Sequence, residues 1–227
     1  MKKVLALILS MFMMLMAGCG ETEKNSSNGS TVEPAAPKTE TSAQEKNSSA
    51  EKKSDGKILV LYYSRTGDNF EVGVIEKGNT HIVADMIAEK VGADMFEIKP
   101  VKPYPESYQE CTEVAKKEIA ENARPEYVGK VENFEQYDTI FLGYPIWWSD
   151  LPPVVYTFLE SNNFNGKTII PFCTSGGEYR TGKEREIPQF ATGETVREGI
   201  GIRGKNCQDN PESVREKVNS WLNGLGY

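Results

Sequence analysis

Four short apolar runs, at residues 58–63, 95–98, 139–143 and 168–173, alternate with stretches of helical spacing, and this alternation restricts the fold more than any other feature. The first run, Ile58 to Tyr63, reads as a buried strand bounded by Gly56 and Gly67. Val83, Met86, Ile87 and Val91 then follow a helical period, with Gly92 placed to cap it. Residues 95–98 predict a second strand, ended by a proline-rich stretch from Pro100 to Pro105, and Tyr108, Cys111, Ala115 and Ile119 space a second helix. The third strand, at 139–143, leads to a helix over 153–162. Pro171 counts against a fourth strand at 168–173 because a ladder donor is missing there, but the run is still read as a strand. A weak helix near 183–191, a strand near 195–202 and a helix over 211–222 complete the set. The last helix has Asn210 as N-cap and Val214, Val218, Trp221 and Leu222 on one face.

Five strands, each followed by a helix, predict an α/β domain built on one five-stranded parallel, doubly wound sheet covered on both faces. In such folds ligands sit outside the carboxyl ends of the strands, where the strand order reverses. The loops after strands one, three and four are therefore the places to look for chemistry.

Composition excludes other classes. A formal net charge of −7 argues against a nucleic-acid partner bound through a basic surface. Collagen, coiled coils and polytopic membrane proteins are excluded by the lack of a Gly-X-Y period, a sustained heptad or an apolar run of 18 residues. Four cysteines without a Cys-x-x-Cys pair, and a single histidine, give no support to a zinc site.

The front of the chain reads as an address. Lys2 and Lys3 precede an apolar stretch from Val4 to Ala17, followed by Gly18 and Cys19, which describes a signal peptide over residues 1–18. Leu15, Met16, Ala17, Gly18 and Cys19 resemble a bacterial lipobox, with Met16 where leucine is usual. The resemblance implies lipidation of Cys19, and two acyl chains anchor a protein stably where one does not. An uncleaved anchor and an ordinary secretory signal are the alternatives. Residues 19–56 are Ser, Asn, Thr, Glu, Lys and Ala with almost no large apolar side chain, and read as a disordered tether. Its 38 residues reach roughly 31–37 Å on average. Residues 58–227 keep a net charge of −8, so the acidity belongs to the folded part.

Three loops carry candidate site residues. After strand one come Ser64, Arg65, Thr66 and Gly67, and just before the first helix Gly78, Asn79 and Thr80. Hydroxyls and flexible backbone ahead of a helix N-terminus suit an anion such as phosphate; a plain turn with a helix cap is the alternative. After strand three come Pro145, Ile146, Trp147 and Trp148, where adjacent tryptophans suit a flat ligand, unless one packs inward and the other covers an interface. After strand four come Thr174, Ser175, Gly176 and Gly177, whose glycines let backbone approach a ligand closely. Together the loops suggest one flat, phosphorylated ligand, and flavin mononucleotide (FMN) meets that description.

On these residues the chain resembles the flavodoxin family, in its bacterial branch with Ser-Arg-Thr-Gly in the first loop and Pro-Ile-Trp-Trp in the second. The resemblance covers residues 57–227. It implies strand order 2-1-3-4-5 and non-covalent FMN, with Ser64, Arg65, Thr66, Gly67, Asn79 and Thr80 at the phosphate. Pro145 to Trp148 and Thr174 to Gly177 would flank the ring system. The chain departs from the family in residues 68–78, which are inserted before Asn79; a lid over the phosphate, a partner surface and a weakened phosphate site are the alternatives. Tyr179 is left outside the site.

The implied function is a membrane-tethered, extracytoplasmic redox protein exchanging electrons with a partner protein or a small-molecule donor or acceptor. An FMN-dependent NAD(P)H:quinone-type oxidoreductase is the alternative, and a flavin-free binding module the second. The sequence Gly199-Ile-Gly-Ile-Arg-Gly204 spells the dinucleotide pattern but is rejected, because it lies at a strand and no helix is expected to open on it. His81 is read as a surface or ligand-adjacent residue rather than a base. Cys111 and Cys173 read as packed residues and Cys207 as a loop thiol.

Overall fold

Side chains alternate across a strand, so a strand buried on both faces sends its odd and even residues into two different cores. In the computed structural model, which describes residues 56–227, β1 (Lys57–Tyr62) shows this directly. Leu59, Leu61 and the following Tyr63 enter one core, and Val60 and Tyr62 the other. The expected signal peptide, the lipidation site Cys19 and all of the tether but Gly56 lie outside the described residues.

After β1 come a small hairpin, β2 (Gly67–Asn69) and β3 (Gly73–Ile75), then α1 (Asn79–Val91), β4 (Asp94–Glu97), β5 (Lys99–Pro100), α2 (Tyr108–Ala120) and β6 (Tyr127–Val128). Next are β7 (Tyr137–Pro145), α3 (Pro153–Ser161), β8 (Thr168–Ser175), β9 (Thr195–Val196), β10 (Ile200–Arg203), α4 (Gly204–Asp209) and α5 (Pro211–Leu225). The main sheet runs β10-β8-β7-β1-β4, every neighbouring pair parallel. Counting only its principal strands in chain order gives the expected 2-1-3-4-5. One face packs against α1 and α5 through Val83, Ile87, Val214, Val218 and Leu222. The other packs against α3 through Val154, Val155, Phe158 and Leu159.

Pro171 is accommodated at a break in its neighbour. β8 pairs with two short segments on one side, β9 opposite Thr168 and Ile169 and β10 from Phe172 onwards. A Cβ on Gly199, which lies in the gap, would come within 2.2 Å of the Pro171 carbonyl oxygen. That carbonyl, and with it the ring nitrogen that cannot donate, therefore faces the interruption rather than a continuous ladder.

Three expectations need correction. Residues 183–191 do not form an α-helix; Lys183–Gln189 is a 3-10 helix with Pro188 inside it, where the missing N–H and the ring are incompatible with a continuing α-helix. The fourth strand is thus the one not followed by a regular helix. A short helix, α4, does open directly at Gly204 after the strand, contrary to the expectation for the dinucleotide-like pattern. Its glycines are accounted for by packing, Gly199 against Pro171, Gly201 against the Tyr179 backbone and Gly204 against Asn79. Finally, Cys207 lies in α4 and is buried rather than in a loop.

Candidate functional site

The three loops meet at the carboxyl end of the sheet around a cavity of about 390 Å³, a volume suited to a small ligand. Of the expected site residues, Arg65, Asn79, Pro145, Ile146, Trp147, Trp148, Thr174, Ser175 and Gly176 line it. Ser64, Thr66, Gly67, Thr80 and Gly177 belong to the same loops but do not line the cavity.

The first loop is organised around the start of α1. Gly78 caps this helix without a side chain of its own, and the Ser64 hydroxyl takes over by accepting the His81 N–H at 3.0 Å. A Cβ on Gly78 would lie 2.2 Å from Ser64 Oγ and 2.5 Å from the Arg65 carbonyl oxygen, so the loop can close on the helix only because residue 78 is glycine. Gly67 instead turns into the hairpin with φ +76 and sits against Glu106. The Ile82 N–H reaches the Gly78 carbonyl. Among the described residues the Asn79 and Thr80 amides find no partner, as the first turn of a helix leaves them. Free amides at the positive end of a helix favour an anion.

Arg65 has a more structural task than its motif suggests. Its guanidinium donates to the carbonyls of Asp68, of Pro105 at 2.7 Å and of Glu106 at 2.6 Å, bracing the loop against the chain that enters α2. Its Nε is buried without a hydrogen-bond partner among the described residues, and the guanidinium lies close enough to Cys111 to act on that thiol. Thr80 and Thr174 share a buried hydroxyl contact of 2.8 Å that ties α1 to the end of β8. Asn79 Oδ1 accepts from Gln208 at 2.8 Å.

The two tryptophans differ. Trp147 and Asp150 exchange both backbone hydrogen bonds, at 2.9 and 2.8 Å, and close a tight turn in which Trp148 and Ser149 both have positive φ. Trp147 is half-buried and packs edge-on against Tyr63 and Tyr104, with ring centroids 5.5 and 4.7 Å away. Trp148 is 56% exposed, fixed by an indole N–H bond to the Thr112 carbonyl at 3.0 Å. Both line the cavity, Trp148 being the more exposed, with the Lys116 ammonium 5.3 Å from its ring centroid.

In the third loop the Ser175 hydroxyl bonds both the N–H and the carbonyl of Gly177, at 3.2 and 2.8 Å, fixing the turn. A Cβ on Gly176 would fall 2.8 Å from the Phe70 ring, and one on Gly177 would fall 2.5 Å from Tyr179. Both glycines thus form a thin wall with an aromatic ring on it.

Several lining residues were not anticipated: Asn69, Phe70, Tyr108, Cys111, Thr112, Ala115, Ser149, Tyr179 and Gly204. Four of them, Tyr108, Cys111, Thr112 and Ala115, recur at i, i+3, i+4 and i+7 on α2. That period was visible, but it does not tell a face turned to a cavity from one turned to a core. His81 does not line the cavity; its ring lies 5.0 Å from that of Tyr62 and 3.5 Å from Asp85. Cys111, Cys173 and Cys207 are buried free thiols. Burial pushes Cys173 and Cys207 each up to about 12, and burial also raises Cys111 although the nearby Arg65 opposes it. Among the described residues no group of three or more His, Cys, Asp or Glu side chains is placed to hold a metal ion.

A flat ligand with a phosphate fits these residues: free amides at the start of α1, and glycine backbone and an exposed indole on the other loops. The sequence matches the family Flavodoxin over residues 57–223. Two crystal structures designated flavoproteins are similar throughout. That from Bacteroides uniformis is 31% identical, covers 74% of this chain and 98% of its own, with a TM-score of 0.60. That from Bacteroides eggerthii is 29% identical, covers 76% and 99%, also at 0.60. A flavoprotein of Lactobacillus acidophilus solved in complex with FMN shares the fold at 22% identity, covering 68% and 97% with a TM-score of 0.53. No curated protein matches the chain.

Proposed function

Because the chain belongs to the flavodoxin family, we propose that it is a flavoprotein that holds FMN non-covalently at the strand ends and carries electrons. The observation that carries this reading is a cavity lined by residues of all three loops, among them Asn79 at the free-amide start of α1, the exposed Trp148 and Gly176. FMN in the related fold from Lactobacillus acidophilus supports the choice of ligand.

In this reading the free Asn79 and Thr80 amides at the start of α1 hold the phosphate, Ser64 supports that helix start through the His81 N–H, and Arg65 lines the same cavity. Trp148 and the Gly176–Gly177 backbone orient the ring system. Bound FMN supplies the redox chemistry, taking up one or two electrons, while the polypeptide supplies position and electrostatics. Tyr179 and Trp148, each more than half exposed at the rim, leave an approach for a redox partner protein or a small donor or acceptor. The lipobox-like sequence ending at Cys19 and the tether after it support an extracytoplasmic lipoprotein anchored to the cell membrane.

Steady-state assays separate a carrier from an enzyme. The FMN-loaded chain, once reduced, is expected to pass electrons to a one-electron acceptor such as cytochrome c, and to oxidise NAD(P)H hardly at all with a quinone present. Sustained NAD(P)H-quinone turnover would overturn the carrier reading in favour of an oxidoreductase.

A further inference from the structure

The inserted residues form the β2–β3 hairpin, and its contacts carry it from one side of the cavity to the other. At its base Gly67 pairs with Ile75, next to the loop assigned to the phosphate. On one side the Asp68 N–H donates to the Glu106 carbonyl at 2.9 Å, and the Asp68 carboxylate accepts the Tyr108 N–H at 3.3 Å. On the other side Glu71 grips Arg203, at the end of β10, through bonds of 2.9 and 3.0 Å to Nη2 and 3.2 Å to Nε. Between these anchorages Phe70 lies on Gly176 and 5.9 Å from the Tyr108 ring, and it lines the cavity.

Two features set this segment apart from an ordinary surface turn. Glu71, at the tip of the hairpin with φ +63, is bonded through both carboxylate oxygens to an arginine 132 residues further along the chain. Phe70 is 54% exposed, and so are three other rings at the same opening, Tyr108 at 39%, Trp148 at 56% and Tyr179 at 54%. Single exposed aromatics need no explanation, but four around one mouth do.

Given the FMN reading, on which this inference rests, we propose that the hairpin is a strap over the bound flavin, with Phe70 as an apolar wall against the ligand and the Glu71–Arg203 pair as its latch. The two parts act differently. Phe70 contributes contact only in the bound state and so sets affinity. The latch holds the strap across the mouth whether or not ligand is inside, so it sets the rates of entry and exit together.

The test is stopped-flow mixing of the full chain with FMN, followed by flavin fluorescence, and release of bound FMN into an excess of an apo-flavoprotein trap. Phe70→Ala is expected to weaken FMN about tenfold or more, mainly through faster release, since the ring's contact is made only in the bound state. Phe70→Tyr keeps the ring and is expected to keep the affinity. Arg203→Gln and Glu71→Gln are each expected to speed entry and release alike by about two- to fivefold, as a part-exposed pair allows, with little change in Kd. Wild-type rates should rise with salt more steeply than those of the latch variants, because screening of the domain's negative charge toward anionic FMN is common to all of them while screening of the latch is not. Circular dichroism of each variant checks that it is folded. Wild-type kinetics in folded Phe70→Ala, or unchanged rates in both latch variants, would overturn the strap while leaving the FMN reading intact. A wild-type chain that binds no FMN would overturn both.

Discussion

Trp147 and Trp148 are adjacent in sequence and have different surroundings. Trp147 lies edge-on between Tyr63 and Tyr104, so Trp147→Ala is expected to cost about 3 kcal/mol in urea unfolding, the lower end for a large ring because this one is only half-buried. Trp148 packs little, so Trp148→Ala should leave stability within about 0.5 kcal/mol while weakening FMN about tenfold, read by fluorescence titration. Equal effects of the two substitutions on FMN would contradict the assignment. The thiols give a second residue-scale check. Cys173 and Cys207 have pKa values raised to about 12 by burial, so almost no thiolate exists at pH 8. A thiol reagent should therefore find three more reactive groups after denaturation than before, Cys111 included. Arg65, Asn79, Thr174, Ser175 and Gly176 were legible as cavity-lining residues because they lie after the first and fourth principal strands or at the start of α1, where the fold opens its cavity. The division of labour between the tryptophans was not, because it depends on Tyr63 and Tyr104, which the sequence leaves far away.

Among the elements, α5 is the one whose limits were clearest, since Asn210, a proline after it and a four-residue apolar stripe all agree. The Asn210 side chain accepts the Ser213 N–H at 3.3 Å. Asn210→Ala is expected to destabilise the fold by about 1 kcal/mol in a urea titration; no change would mean that water caps the helix equally well. The central strands β1, β7 and β8 were legible for a similar reason, as runs buried on both faces leave an apolar signature. Three elements were not. Residues 183–189 carry helical composition, but Pro188 forces the tighter 3-10 form. The break between β9 and β10 exists to face Pro171 and is a property of two strands together. The β2–β3 hairpin has no apolar alternation, because it is held by a backbone bond to Glu106 and an ion pair with Arg203 rather than by a core.

At the scale of the molecule charge has the largest influence on the flavin. Residues 58–227 carry −8, and electrons added to a flavin beside them meet a negative field. The midpoint potential of bound FMN is therefore expected to lie below that of free FMN and to rise as salt screens the field, measured by potentiometry at low and high ionic strength. A potential indifferent to salt would place the controlling groups in the loops instead. These expectations require FMN in the cavity, and one observation decides it. The full chain should be incubated with FMN, desalted, and its visible absorption recorded. Retention of the two bands of oxidised flavin at one FMN per chain is the expected result, and a colourless protein that releases all added FMN would contradict it.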